Sequence, residues 1–336
     1  MKDEQIFLDF IDGREAAVLL VRGKLEDLFL ETNGFPPGTI FRAKVSRPVS
    51  GQRGVFVSFP GGTGFLRNIK HVSTDRPMLV QVSGYAEKGK ATPVTAKLLF
   101  KSRYAIITPD FPGLNLSRKI KDVGFRDKLL KYIRDGLDPL SFRVILRSSC
   151  ETANYATILQ DAINIRKVAC AVLEDKGREP CLLLEADGPH RMAWREWIKE
   201  ASIFRAQGCL YQAGVLDLLD SLKEPKISMG VGSYFIEQTR ALTSVDVNTG
   251  IDNSLAAGLK ANIAMAQDLP RQLRLRGIGG QIVIDPAPMP KKDRKLFDKV
   301  LETAFRKDSV QTQVLGWTAL GLIELQRARV RAPLKF

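Results

Sequence analysis

Histidine and cysteine are scarce in this chain of 336 residues: His71 and His190 are the only histidines, and Cys150, Cys170, Cys181 and Cys209 the only cysteines. The thiols are too widely spaced for a Cys-x-x-Cys metal clip, and scattered cysteines in a reducing compartment serve as small core residues, so no thiol chemistry is assigned. Isolated histidines, with no Ser or Cys set beside them as a nucleophile, give triad-type hydrolysis little support. No apolar run approaches the roughly twenty residues needed to cross a bilayer. The opening Met-Lys-Asp-Glu-Gln is not a basic-then-apolar signal, and no amphipathic basic helix is present to lie among lipid headgroups. Together these absences predict a cytoplasmic protein with no membrane partner.

Acidic residues are in deficit too, and the balance shows what is abundant. Lys plus Arg number 51 against 37 for Asp plus Glu, a formal charge of +14, in a chain 44% hydrophobic and 26% charged. That composition supports several folded subdomains with cores and excludes a disordered chain. The excess is concentrated. Between Pro36 and Tyr104 stand Arg42, Lys44, Arg47, Arg53, Arg67, Lys70, Arg76, Lys88, Lys90, Lys97, Lys101 and Arg103, against only Asp75 and Glu87. A polyanion partner accounts for such clustering, whereas solubility alone would spread the charge.

This basic stretch has the grammar of strands. Short β-prone runs at 39–46, 54–58, 63–66, 78–83 and 95–100 are separated by Pro, Gly and Ser clusters, predicting a small five-stranded barrel. Ahead of it, 6–10, 16–21 and 25–31 read as three antiparallel strands, the last two joined at Arg22-Gly23. Three strands leave an apolar face open, so a later part of the chain must complete that sheet. After the barrel, 104–109 and 142–146 read as strands and 152–174 as a helix with Tyr155, Leu159, Ala162, Ile163, Ala169 and Val172 along one face.

The chemistry lies in the last third. Ala-Leu-Thr-Ser-Val-Asp-Val-Asn-Thr-Gly reads as a strand ending on Asp246, with Asn248 beyond it and a turn at Gly250. Later, Gln281 to Ile284 form an apolar β-branched run closed by Asp285 and Pro286. If the two strands are neighbours, Asp246 and Asp285 lie side by side, and the period of two puts Asn248 on the same side. Paired carboxylates repel unless a hard cation lies between them, and an oxygen-only set suits Mg²⁺ or Mn²⁺. The competing reading is that Asp and Asn merely terminate strands and favour turns.

Between these strands, 254–276 has helical composition with Leu255, Leu259, Ile263 and Ala266 on one face. Pro270 predicts a kink or restart. Arg271, Arg274 and Arg276 then either approach a scissile phosphate beside Asp285 or lie solvated on the surface. Pro290 opens an amphipathic helix with Leu296, Phe297, Val300, Leu301 and Phe305 inward and Lys291, Lys292, Arg294 and Lys295 near its start.

Three segments between Tyr234 and Arg331 carry a resemblance: Ala-Leu-Thr-Ser-Val-Asp-Val-Asn-Thr-Gly, then Arg-Gln-Leu-Arg-Leu-Arg-Gly-Ile-Gly-Gly-Gln-Ile-Val-Ile-Asp, then Gly-Leu-Ile-Glu-Leu-Gln-Arg-Ala-Arg. In order and spacing they resemble the catalytic region of the ribonuclease E/G family of bacterial endoribonucleases. The resemblance implies a multi-subdomain α+β fold. Residues 1–35 and 183–226 would form a ribonuclease-H-like subdomain, with helix faces marked by Trp194, Trp197, Ile198, Val215, Leu218 and Leu219. Residues 36–98 would form an OB-fold barrel of the ribosomal protein S-one type, 99–182 a 5′-sensor-like subdomain and 227–336 a deoxyribonuclease-I-like catalytic subdomain.

By the same resemblance Asp246, Asn248 and Asp285 are catalytic, with the two aspartates holding Mg²⁺ or Mn²⁺. Phe56, Phe65 and Lys90 stand at RNA-contacting positions, although alternation alone favours a core role for a strand Phe, and Phe59 is an alternative exposed ring. Arg147 and Ser148 fall where the family binds a terminal monophosphate with Arg and usually Thr; taken alone, an Arg at a strand end is a surface charge. The chain closes at Arg331-Ala-Pro-Leu-Lys-Phe336, before the zinc link and small domain of many relatives, so no zinc and no zinc-mediated tetramer are expected. Pro288 replaces an acid common in the family, and 309–313 lacks arginines found nearby in relatives. The reading is a Mg²⁺-dependent endoribonuclease acting on single-stranded RNA. A non-catalytic RNA-binding relative and a nuclease acting on DNA stay open.

Overall fold

The computed structural model describes the chain except for residues 1–3, 49–53, 68–76, 110, 138–140, 198–200, 253, 255 and 335–336, and describes 47–48 in the backbone alone. Arg53, Lys70, His71, Asp75, Arg76, Ile198 and Leu255, all singled out above, lie outside the described residues. The chain divides into two compact units, 1–31 with 202–336, and 32–201.

The first unit begins with three antiparallel strands, β1 (Glu4–Ile11), β2 (Arg14–Val21) and β3 (Lys24–Leu30). Their turns are Asp12-Gly13 and Arg22-Gly23, and all four residues take positive φ, the backbone that a tight two-residue hairpin requires.

The second unit contains a closed barrel. β4 (Ile40–Pro48), β5 (Gly54–Phe59), β6 (Gly62–Arg67), β7 (Met78–Val82) and β8 (Thr92–Thr95) pair in the order β4-β5-β6-β8-β7, and β7 returns to β4. β6 and β8 run parallel, while the other pairs are antiparallel. A closed five-stranded barrel of this order fits an OB-fold. Its core holds Phe41, Val45, Val55, Val57, Phe59, Leu66, Val80 and Val94. The fifth strand lies earlier than the 95–100 predicted. At Thr95 the chain turns, with Lys97 N–H donating to Thr95 Oγ1, and the Gln81 side chain then bonds both backbone groups of Leu99. Leu98 and Phe100 enter a different core.

That second core is built on β9 (Phe100–Lys101), β10 (Ala105–Thr108), β11 (Gly113–Leu116) and β12 (Arg143–Leu146), in sheet order β11-β12-β10-β9. Two helices supply buried side chains to it. α1 (Val123–Leu137) contributes Leu129, Ile133 and Leu137, and α2 (Tyr155–Leu173) contributes Ile158, Ala162, Ala169 and Val172. Asn154 caps α2, its side chain accepting from Thr157 N–H. β13 (Cys181–Leu184) joins the outer edge of β4, and α3 (Pro189–Glu196) carries an exposed Trp194.

Back in the first unit, β14 (Ser202–Phe204) extends the N-terminal sheet in parallel beside β1. α4 (Cys209–Gln212) and α5 (Val215–Asp220) bring Leu210, Val215 and Leu219 into a core with Phe7, Val18 and Leu28. Buried Asp9 ties the two pieces, accepting from Gly208 and Leu210 N–H at 3.2 and 3.1 Å. Burial alone would raise its pKa, but these backbone donors outweigh it and hold the carboxyl below its usual range.

The rest of this unit is a six-stranded sheet, β15 (Lys226–Met229), β16 (Gly232–Gln238), β17 (Thr243–Asn248), β18 (Gly280–Asp285), β19 (Thr312–Trp317) and β20 (Ile323–Arg327), ordered β15-β16-β17-β18-β20-β19. α6 (Ala257–Leu275) and α7 (Arg294–Lys307) share its core. α6 runs through Pro270 as one helix, where the sequence predicted a kink or restart. In α7 Phe297, Leu301 and Phe305 are buried one turn apart, whereas Leu296, a residue off that stripe, is 49% exposed rather than inward.

Candidate active site

β17 and β18 each bury every second residue. Val245 and Val247, with Ile282 and Ile284, join the core, so Asp246, Asn248, Gln281 and Asp285 point away from it and are exposed. The strands are parallel neighbours, and Asp246 and Asp285 are register partners. The parallel pairing of the two strands ends at these carboxylates, at the carboxyl side where open α/β sheets place their ligands, although β17 itself runs on to Asn248 along β16 rather than ending on Asp246 as the sequence predicts. On the other side of Asp246, Phe235 of β16 is its partner, a half-buried ring that the sequence reading did not single out. Its signal was weak, since a Phe in a strand is equally at home in a core.

Asn248 Nδ2 donates to Asp246 Oδ2 at 2.9 Å, which orients one carboxylate and satisfies one of its lone pairs. Among the described residues neither aspartate has a cationic partner, and no group of three or more His, Cys, Asp or Glu is gathered in a metal-binding arrangement. Two adjacent carboxylates are a donor set that fits a hard divalent ion completing its shell with water and substrate oxygens. The same geometry disfavours a soft-metal site, which needs thiolate or imidazole.

The arginines after Pro270 serve neither of the roles considered for them. Arg271 bonds Asp268 and donates to the Leu25 carbonyl at 2.6 Å. Arg274 pairs with Asp308 and with Glu26. Arg276 donates to the Leu222 carbonyl. Their guanidinium groups are internal ties within the unit, from Arg271 and Arg274 of α6 to β3 and Asp308 and from Arg276 just past α6 to the turn at Leu222. The Asp308 side chain is fully buried between Arg274 and Arg327, itself fully buried. A cation so engaged cannot approach a phosphate without leaving a buried carboxylate unpaired.

In the barrel Phe56 and Phe65 are cross-strand partners with ring centroids 5.2 Å apart, half-buried on the side away from the core. Arg67 lies near the face of Phe65, 5.9 Å from its centroid. Phe59 is the opposite case, 5% exposed and stacked on Phe41 at 4.3 Å, so it is a core ring and not the alternative exposed one. Lys90 is exposed and paired with Glu87 at 2.6 Å. Several cations of the basic segment are likewise engaged internally, Arg42 with Asp175 and Lys101 with Glu196. Lys44, Arg67, Lys88 and Lys97 are exposed.

Arg147 follows β12, and Ser148 opens the short 3₁₀ turn after it. The Arg147 guanidinium donates to the carbonyls of Ser102 and Arg103 and pairs with Glu196 at 2.6 Å. Lys101 and Arg195 reach the same carboxylate, each at 2.8 Å. Burial would raise the Glu196 pKa, but the surrounding Lys101, Arg147 and Arg195 outweigh it and hold the carboxyl down to about 2. Any anion binding Arg147 competes with Glu196. Arg103, beside this cluster, lies over the Trp194 ring at 4.3 Å. Cys150 is buried and its thiol is pushed up to about 12, which leaves it unreactive.

One unit thus holds a closed five-stranded barrel and the other a pair of exposed carboxylates on adjacent parallel strands, which defines a mixed α+β protein. Comparisons with known proteins name a family for part of the chain. Residues 206–330 match the model of the Ribonuclease E/G family. Ribonuclease G of Escherichia coli is 26% identical over 88% of this chain and 73% of its own length. Ribonuclease E of a Nostoc species is 26% identical over 95% of the chain and 55% of its own length. Ribonuclease E of a Synechocystis species is 28% identical over 77% of the chain and 44% of its own length. Together these matches support the ribonuclease E/G family for this chain, with residues 206–330 carrying the family match.

Proposed function

We propose that this protein is an endoribonuclease that cleaves single-stranded RNA at a divalent cation held by Asp246 and Asp285. The observation that carries the reading is the register match of these two exposed aspartates on adjacent parallel strands. A bound Mg²⁺ or Mn²⁺ would supply a water of lowered pKa and charge for the phosphate oxygens. Asn248 steadies the Asp246 carboxylate. Phe56 and Phe65 offer rings on which bases stack, while exposed Lys44, Arg67, Lys88 and Lys97 follow the backbone. In the reaction the water oxygen joins phosphorus, the bond from phosphorus to the 3′ oxygen breaks, and the products carry a 5′-phosphate and a 3′-hydroxyl. In this reading 1–35 with 183–226 is the ribonuclease-H-like part, 99–182 the 5′-sensor-like part and 227–336 the deoxyribonuclease-I-like part, and the protein works in the cytoplasm.

The test is cleavage of end-labelled single-stranded RNA in Mg²⁺ and then in EDTA, by wild type, Asp246→Asn and Asp285→Asn. Metal-dependent bands are expected from wild type only, with RNA affinity in EDTA nearly equal in all three. Undiminished cleavage by both variants would falsify the assignment. A wild-type protein that binds RNA but yields no bands would be a non-catalytic relative, and equal cutting of single-stranded DNA would widen the substrate class.

A further inference from the structure

Past Asp285 the strand pairing of β18 ends. β18 is in register with β17 as far as Asp285 and with β20 as far as Ile284, so both ladders stop at the candidate site. The next residues are Pro286, Ala287, Pro288, Met289 and Pro290, and the three prolines leave only Ala287 and Met289 with backbone N–H donors. Ala287 is nevertheless buried.

The side chain that holds it is Asn262 of α6, with 0% exposure. Asn262 Nδ2 donates to the Ala287 carbonyl at 2.9 Å, and the Ala287 N–H donates to Asn262 Oδ1 at 2.9 Å. The same Nδ2 lies 3.5 Å from Met289 Sδ. One turn earlier on the helix, Gly258 abuts the Pro288 carbonyl so closely that a Cβ would come within 1.9 Å of its oxygen. A primary amide presents a donor and an acceptor side by side, as a peptide group does. Asn262 thus gives Ala287 the pairing that an adjacent strand would otherwise provide.

We infer that Asn262 is a positioning residue for the carboxylate pair: by clamping Ala287, two residues beyond Asp285, it fixes the path on which the chain leaves β18 and keeps the Asp285 carboxylate beside that of Asp246. This rests on the reading of Asp246 and Asp285 as the cation site. The hydrogen bonds of Asn262 go to the 287–289 segment, so it acts through the backbone. Among the described residues no other side-chain amide bonds this proline-rich segment, so removing Asn262 leaves it held by core packing.

The experiment is direct Mn²⁺ binding to the RNA-free full chain, by calorimetry or electron paramagnetic resonance, for wild type, Asn262→Ala and Asp285→Asn. Asn262→Ala is expected to bind Mn²⁺ and to turn over at saturating RNA roughly 10- to 100-fold less well, the range typical of lost outer-shell support. Its KM for RNA and its RNA affinity in EDTA stay at the wild-type values. Wild-type Mn²⁺ affinity in folded Asn262→Ala overturns the inference. Wild-type affinity in Asp285→Asn overturns instead the cation-site reading beneath it. Where the alanine variant does not fold, Asn262→Ser is judged by the same criterion. In the wild type itself the Ala287 amide is expected to be protected from hydrogen exchange, and free exchange there overturns the clamp.

Discussion

Phe56 and Phe59 stand three residues apart on β5 and have opposite fates. Phe59 fills the barrel core against Phe41 and Phe35, while Phe56 faces outward with Phe65. Phe59→Ala is therefore expected to cost about 3 to 5 kcal/mol of stability through the cavity it leaves. Phe56→Ala is expected to weaken single-stranded RNA binding by about 1 to 3 kcal/mol with little change in stability. Denaturant titration and RNA titration of both variants separate the two roles, and unchanged RNA affinity in Phe56→Ala would remove the barrel face from the binding surface. Their difference was legible in the alternation of the strand, since Val55 and Val57 share a parity with Phe59. Proximity to the turn at Pro60 and Gly61 obscured it. The strand-ending position of Asp285 was equally legible, because a β-branched run followed by Asp and then Pro is a local pattern, whereas β17 continues to Asn248, two residues past the end read at Asp246, because its pairing with β16 continues that far.

At the scale of elements, the cluster around Glu196 links α3 to β9 and the end of β12. The Glu196 carboxyl is lowered from 4.5 to about 2, so the folded state binds its proton more weakly than the unfolded chain does. The resulting stabilisation is complete above the unfolded pKa, is lost as pH falls toward the folded one, and amounts to something on the order of 3 kcal/mol. Glu196→Gln is expected to lower the urea midpoint at neutral pH and to flatten its fall between about pH 5 and pH 2; a wild-type pH profile in this variant would show that other carboxylates carry the acid sensitivity. None of this was visible in sequence, where Arg147 read as a phosphate ligand or a surface charge. α6 teaches the same lesson. Its apolar face and its arginines were readable from spacing, but the partners of those arginines, Leu25, Glu26 and Asp308, lie far along the chain. α1 was missed although Leu129, Ile133 and Leu137 recur every fourth residue, because a Lys-, Arg- and Asp-rich stretch masks that stripe.

For the whole molecule the formal charge of +14 predicts that RNA affinity falls linearly in log–log form as salt rises, with a slope of about 0.7 per phosphate contacted. Substituting exposed Lys44, Lys88 and Lys97 together is expected to reduce that slope, whereas Asp246→Asn is not; a slope unchanged by the triple substitution would place the phosphate contacts elsewhere. Among the described residues no helix is long and apolar enough to cross a membrane. The amino-acid order alone determined where most strands and turns fall, the alternation of core-facing residues within them, and which family the chain resembles, because these depend on near neighbours in the chain; the fifth barrel strand, Thr92–Thr95 rather than 95–100, was set by the fold. Only the tertiary structure decided that β17 and β18 are adjacent and parallel with Asp246 opposite Asp285, that Arg271, Arg274 and Arg276 are internal ties, and that Asn262 holds Ala287. Each of those facts pairs groups distant in sequence, and such pairing is set by packing around a shared core.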